Sequence, residues 1–130
     1  MAEEPRTEVA AAVIERAGRL LIARRRRGSH LEGLWEFPGG KRREGESLPE
    51  TLRREIREEL DAAVEVGKVV EVVDWEYPGV RLRLHFFRCT LQGEPRSVEG
   101  QELAWVARAD LPGYEFPSAD ARLIARLSSP

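Results

Sequence analysis

The hydrophobic and polar positions of this chain fall into strand-like runs interrupted by one strongly helical stretch. Glu8 to Ile14 and Arg19 to Ala23 are apolar runs joined by Arg16-Ala17-Gly18, and they predict a β-hairpin. The apolar run WEF then leads into the glycine turn of PGGK, where backbone can approach a ligand closely. Beyond it the period changes, because Leu48, Leu52, Ile56 and Leu60 recur at i, i+4 and draw one apolar stripe along a helix. Ser47 followed three residues later by Glu50 is a capping box, and Pro49 sits in the first turn, where its missing N–H costs nothing. The helix is therefore predicted to start at Ser47. Val64 to Trp75 reads as a Val-rich strand and Pro78-Gly79 as a turn. Val80, Leu82, Leu84 and Phe86 then alternate with Arg81, Arg83 and His85, completing a second antiparallel pair. A strand at Leu103 to Val106 and a helix from about Ser118 to Leu127, apolar at Ala119, Leu123, Ile124 and Leu127, close the order. That order predicts an α/β fold with helices on both sides of a mixed sheet.

Composition narrows the class. At 130 residues, the chain is long enough for one core and is expected to form a single domain over residues 1–130, with no linker or repeat. A net charge of −2 argues against nucleic acid polymer as a partner. The acidic start MAEEPRTEVAAAVI is read as neither a signal sequence nor a membrane span, and the single cysteine, Cys89, reads as a core thiol in a reducing compartment. These features predict a cytoplasmic protein, monomer or homodimer, with a small-molecule substrate and no membrane partner. The run Arg24 to Arg27 is read as the border of a pocket for a charged small molecule. Two histidines without a cysteine partner make a zinc site a poor fit, and His85 and Trp105 are assigned no role.

The candidate chemistry lies on the capped helix. Glu55, Glu58 and Glu59 stand at i, i+3 and i+4 and share one narrow face. A Glu/Arg-rich helix is commonly only a solvated surface. Here, however, like charges need compensation beside a glycine turn, and a hard divalent cation with oxygen ligands, Mg²⁺, supplies it. Counting from Gly40, Glu46 follows after five residues, Arg54-Glu55 after seven more, and Glu58-Glu59 after Ile56 and one spacer.

Gly40 to Glu59, in the pattern GX5EX7REUXEE, resembles the signature of the Nudix hydrolases. The resemblance implies an α/β/α sandwich. It departs only after the last glutamate, where Asp61 and Ala62 replace the family's glycine and aliphatic residue at the helix exit. It implies that Glu55, Glu58 and Glu59 hold Mg²⁺, with Mn²⁺ as an alternative, together with the backbone carbonyl of Gly40. Arg54 would pair with Glu46 to fix the helix against the loop, through a fork suited to a carboxylate. The segment GEPRSVEGQELAWV resembles a loop of the MutT-like branch that adds a carboxylate, and Glu99 occupies its place. Either Glu55 or Glu99 is then the base that deprotonates water.

LLIARRR, GLWEFPGGK and YEFPSAD extend the likeness over nearly the whole chain, in the order of nucleoside triphosphate pyrophosphohydrolases. In that branch water attacks the β-phosphorus, and the best-known member clears 8-oxo-dGTP and so prevents mutation. Matching positions place Arg25, His30, the backbone of Phe37, Tyr77 and Asp120 around base and sugar. Asp120 stands where guanine-sanitising relatives often carry Asn. An ionised carboxylate accepts only, from 8-oxoguanine N7–H or from the exocyclic amine of cytosine or adenine, whereas a protonated one also donates. It reads equally as a helix-terminal carboxylate near the dipole. The expectation is hydrolysis of 8-oxo-dGTP, with CTP or 5-methyl-dCTP as the alternative. A non-catalytic nucleotide-binding module and a base-recognition module of a DNA glycosylase are the competing classes, and neither needs the glutamate face.

Overall fold

The computed structural model describes residues 5–129, so the start at residues 1–4 and the end at residue 130 lie outside it. Its strands are β1 (Thr7–Arg16), β2 (Arg19–Arg24), β3 (Trp35–Glu36), β4 (Gly39–Lys41), β5 (Ala63–Tyr77), β6 (Val80–Gln92) and β7 (Leu103–Ala107). The helices are α1 (Leu48–Leu60) and α2 (Ala121–Ser128), with 3-10 turns at Arg108–Gly113 and Ser118–Asp120. The main path of the sheet runs β3-β2-β1-β6-β5, with β4 on β1 and β7 on β2. β1 is parallel to β6 and antiparallel to its other partners, so the sheet is mixed as the order of elements predicts.

Each face of the sheet carries a hydrophobic core. In β1, Ala10, Ala12 and Ile14 pack with Leu52, Ile56 and Leu60 of α1, while Ala11 and Val13 join Leu123, Ile124 and Leu127 of α2. Alternation along one strand thus feeds two cores, the α/β/α arrangement. Cys89 is buried in the core beneath α1, as a core thiol should be. Among the described residues no helix is long and apolar enough to cross a membrane.

Three local readings are corrected. The hairpin β1–β2 pairs only at its closed end, Glu15 with Leu20 and Arg16 with Arg19, after which the strands diverge to other partners. The glycine turn is a strand, since β4 pairs with β1 over Val9, Ala10 and Ala11. A Cβ on Gly39 would meet the Ala10 carbonyl oxygen at 2.0 Å, so only glycine permits this approach. The last helix begins three residues later than its apolar pattern suggests, because Ser118–Asp120 closes as a 3-10 turn.

Candidate active site

α1 begins as its sequence dictates. Ser47 Oγ accepts from the Glu50 N–H at 3.2 Å, and the Glu50 carboxylate accepts from the Ser47 N–H at 2.9 Å. The helix ends at Asp61, left-handed at φ 50°, whose N–H donates to the Arg57 carbonyl. Asp is among the side chains that tolerate this conformation, so the departure from glycine leaves the exit intact. The chain returns to the same end. The N–H groups of Arg96 and Val98 donate to the carbonyls of Leu60 and Glu59 at 2.8 and 3.0 Å, docking the loop that carries Glu99.

Arg54 is the centre of the glutamate face. Its Nε and Nη2 donate to the two oxygens of Glu46 at 2.6 and 2.9 Å, and its Nη1 donates to Glu55 at 2.7 Å. A longer contact of 3.4 Å reaches Glu58, and Nη2 also bonds the Lys41 carbonyl. Glu46 further accepts from the Arg43 N–H and from the hydroxyl of the fully buried Thr51. Arg54 above all, then the Arg43 backbone, hold the Glu46 carboxyl down at about 2, so the pair is ionised at neutral pH. This clamp fixes the loop before α1 to its middle turns.

A cavity of about 240 Å³ opens beside it, lined by Glu36, Glu55, Glu58, Glu59 and Glu99 together with Arg25, Arg26 and Gln101. Glu59 is partly buried among them. Burial, a hydrogen bond with Glu55 and the charges of Glu36, Glu55 and Glu99 raise its pKa to about 9, so the negative charge here lacks compensation. Among the described residues no three of these side chains yet converge as a ligand set. Instead Glu55 and Glu58 are turned to Arg54, and Glu99 is held by Arg26 at 2.7 Å. The expected glutamates therefore share one cavity, but Glu55, Glu58 and Glu99 are engaged with internal cations while Glu59 is hydrogen-bonded to Glu55. An all-oxygen set around a partly buried, undercompensated carboxyl fits a hard divalent cation.

Of the residues expected around the base, Arg25 lines this cavity. Arg25 donates to the His30 carbonyl and pairs with Glu36; His30 meets Tyr77 edge to face, with ring centroids 5.3 Å apart. Tyr77 is in turn bonded to the Ala119 backbone and senses the charge of Asp120. Phe37 is buried, stacked on Phe116 in the core cluster that includes Ala119. Asp120 occupies the N-cap position of α2, yet its side chain makes no capping bond. It is only 7% exposed. Burial first, then Glu36, lifts its carboxyl to about 7.

Glu36 is the residue that sequence reasoning missed. Its side chain pairs with Arg25, lies 3.5 Å from Gln101, and acts on both Glu59 and Asp120, joining the two halves of the site. Its only local signal is alternation, since it lies between the buried Trp35 and Phe37 and so faces away from their core.

An acid-lined cavity on a clamped helix, in an α/β/α sandwich, has the chemistry of a phosphoric anhydride hydrolase. The model of the NUDIX domain matches residues 9–126, and the chain belongs to this family of hydrolases, in its MutT-like branch. Over 118 residues it is 38% identical to the CTP pyrophosphohydrolase of Escherichia coli, covering 90% of this chain and 87% of that protein. It is 35% identical over 122 residues to the 8-oxo-dGTP diphosphatase of Haemophilus influenzae, covering 92% and 90%. The MutT NUDIX hydrolase structure from Burkholderia pseudomallei superposes with a TM-score of 0.84 at 32% identity, covering 97% of this chain and all of that one. Nudix hydrolases generally act with divalent metal ions.

Proposed function

We propose that this protein is a single-domain, Mg²⁺-dependent nucleoside triphosphate pyrophosphohydrolase whose preferred substrate is 8-oxo-dGTP, serving to clear the cytoplasmic nucleotide pool. The observation that carries this reading is the single cavity lined by Glu55, Glu58, Glu59 and Glu99 beside the Arg54–Glu46 clamp. Glu55, Glu58 and Glu59, with the Gly40 carbonyl and Glu99, would hold the cation, and Mn²⁺ would serve in its place. When bound, it neutralises phosphate charge and makes water a stronger nucleophile.

Water attacks the β-phosphorus and the bond from that phosphorus to the α,β-bridging oxygen breaks, giving a nucleoside monophosphate and pyrophosphate. Glu55 or Glu99 takes the proton of the attacking water. Arg54 contributes by position, since its Nη1 holds the Glu55 carboxylate at the cavity wall while Nε and Nη2 anchor the guanidinium to Glu46. Arg25, His30, Tyr77 and Asp120 enclose the base, beside the backbone of Phe37.

Asp120 supports the choice of base. A carboxyl lifted to about 7 is partly protonated at neutral pH, so it both donates to O6 and accepts from N7–H of 8-oxoguanine, as an amide would. A second reading, CTP or 5-methyl-dCTP, is favoured by the ionised form, which accepts from the exocyclic amine, and by the likeness to a CTP pyrophosphohydrolase.

The test is kcat/KM with Mg²⁺ for 8-oxo-dGTP, dGTP, CTP and 5-methyl-dCTP, with product identification. Preference for 8-oxo-dGTP with pyrophosphate released supports the first reading, and preference for the cytosine nucleotides replaces it with the second. Release of orthophosphate overturns both. Glu59→Gln should lower kcat/KM by roughly a hundredfold or more while keeping the fold, as expected for loss of a metal ligand. A mutant as fast as the parent removes Glu59 from the site.

A further inference from the structure

We propose that Arg26 is an exchangeable counter-charge of the acidic cavity: it neutralises Glu99 in the nucleotide-free protein, yields that carboxylate to a divalent cation, and then holds a substrate phosphate. The inference rests on the metal-and-triphosphate reading given above and adds a residue to it.

The first observation is the contact itself. Arg26 Nη1 lies 2.7 Å from Glu99 Oε2, and both residues line the cavity shared by Glu55, Glu58 and Glu59. Their side chains are 56% and 49% exposed, so the pair stands in water and is weak enough to exchange. Arg54 differs in this respect. It is 17% exposed and bound to Glu46 through two hydrogen bonds, and its partners cannot be traded without opening the clamp.

The second observation is a fixed root with an exposed head. The Arg26 carbonyl accepts from the Ser29 N–H at 3.2 Å and from the Ser29 hydroxyl at 2.6 Å, and the Arg25 N–H donates to the Leu34 carbonyl. The Gly28 N–H donates to Glu32, so the turn that carries Arg26 is bonded within itself. Only the long guanidinium arm is left to move. A polyphosphate entering beside Glu99 presents oxygens that suit its fork better than a solvated carboxylate does, because several charges then converge on it.

The consequence is a pair of effects with opposite sign. Arg26 competes with a cation for Glu99 before substrate binds, and favours substrate afterwards. Titration calorimetry with Mn²⁺ alone on the nucleotide-free protein reads the first effect. Arg26→Gln should bind Mn²⁺ about two- to fivefold more tightly than the parent, the size expected from loss of one exposed ion pair. Steady-state kinetics reads the second, where KM for the preferred triphosphate should rise about tenfold, as for a lost charged hydrogen bond. Arg26→Lys keeps the charge and should lie between parent and Arg26→Gln in both. Arg19→Gln removes the same charge at the far end of β2, roughly 20 Å away, and should change neither value.

Unchanged or weaker Mn²⁺ binding by Arg26→Gln, or an unchanged KM, overturns the proposal. If Arg19→Gln tightens Mn²⁺ equally, net charge alone is responsible and Arg26 has no special part. Failure of the parent itself to bind Mn²⁺ or to cleave a triphosphate would instead bring down the underlying reading of the site, and this inference with it.

Discussion

Gly40 and Glu55 meet without room for a methyl group. A Cβ built on Gly40 would stand 2.4 Å from Cδ of Glu55 and 2.6 and 2.7 Å from its two oxygens. Gly40→Ala should therefore push the Glu55 carboxylate out of the cavity. The displaced atoms end a flexible side chain, so the fold absorbs the change cheaply. We expect kcat/KM to fall by about a hundredfold, the usual consequence of an ångström's misplacement, with the melting temperature nearly unchanged. Full activity in Gly40→Ala would show that the position of Glu55 is immaterial.

Arg54→Lys keeps the charge and loses the fork. A lysine cannot meet both oxygens of Glu46 while reaching Glu55, so the clamp opens although no proposed ligand is removed. Mn²⁺ affinity measured by calorimetry should weaken about ten- to a hundredfold, as for loss of a supporting group. Parental affinity would show that the clamp serves the fold alone.

Asp120 gives stability a definite pH dependence. Its carboxyl is raised from 3.8 to about 7, so the folded chain binds this proton more tightly than the unfolded chain. The stabilisation is complete below the unfolded value and is lost as pH rises to about 7, amounting to an upper bound of about 4 kcal/mol. Asp120→Asn carries no proton. Urea melts at pH 5 and pH 8 should thus show the mutant gaining on the parent at the higher pH. The same substitution should shift base preference more than kcat. Parallel pH curves would mean that burial costs this carboxyl nothing.

At the end of α1, Asp61 at φ 50° predicts an ordered series. Asp61→Gly should hold or slightly raise stability, since glycine adopts this backbone freely, though it gives up the exposed contact with Arg96. Asp61→Val should lose about 1–2 kcal/mol, because a branched side chain is strained there. Equal midpoints for the two mutants in urea would sink the account.

Local pattern alone dictates the helix and what it displays. The capping box at Ser47 and Glu50, the stripe Leu52, Ile56 and Leu60, and the glutamates Glu55, Glu58 and Glu59 are all local, set by a period of 3.6 and by side chains within one or two turns. Alternation in β6 is local too, with a period of two. Long-range contacts set where distant segments meet. That Gly39–Lys41 is a strand depends on β1 lying alongside it, which no turn propensity encodes. That the Asp120 side chain is buried without capping α2, and shares charge effects with Glu36 and Tyr77 of other strands, is likewise nonlocal. The run Arg24 to Arg27 offers four chemically equal side chains, and only the folded loop turns Arg26 to Glu99, about seventy residues away, because electrostatic and packing contacts act through space while local pattern acts along the chain.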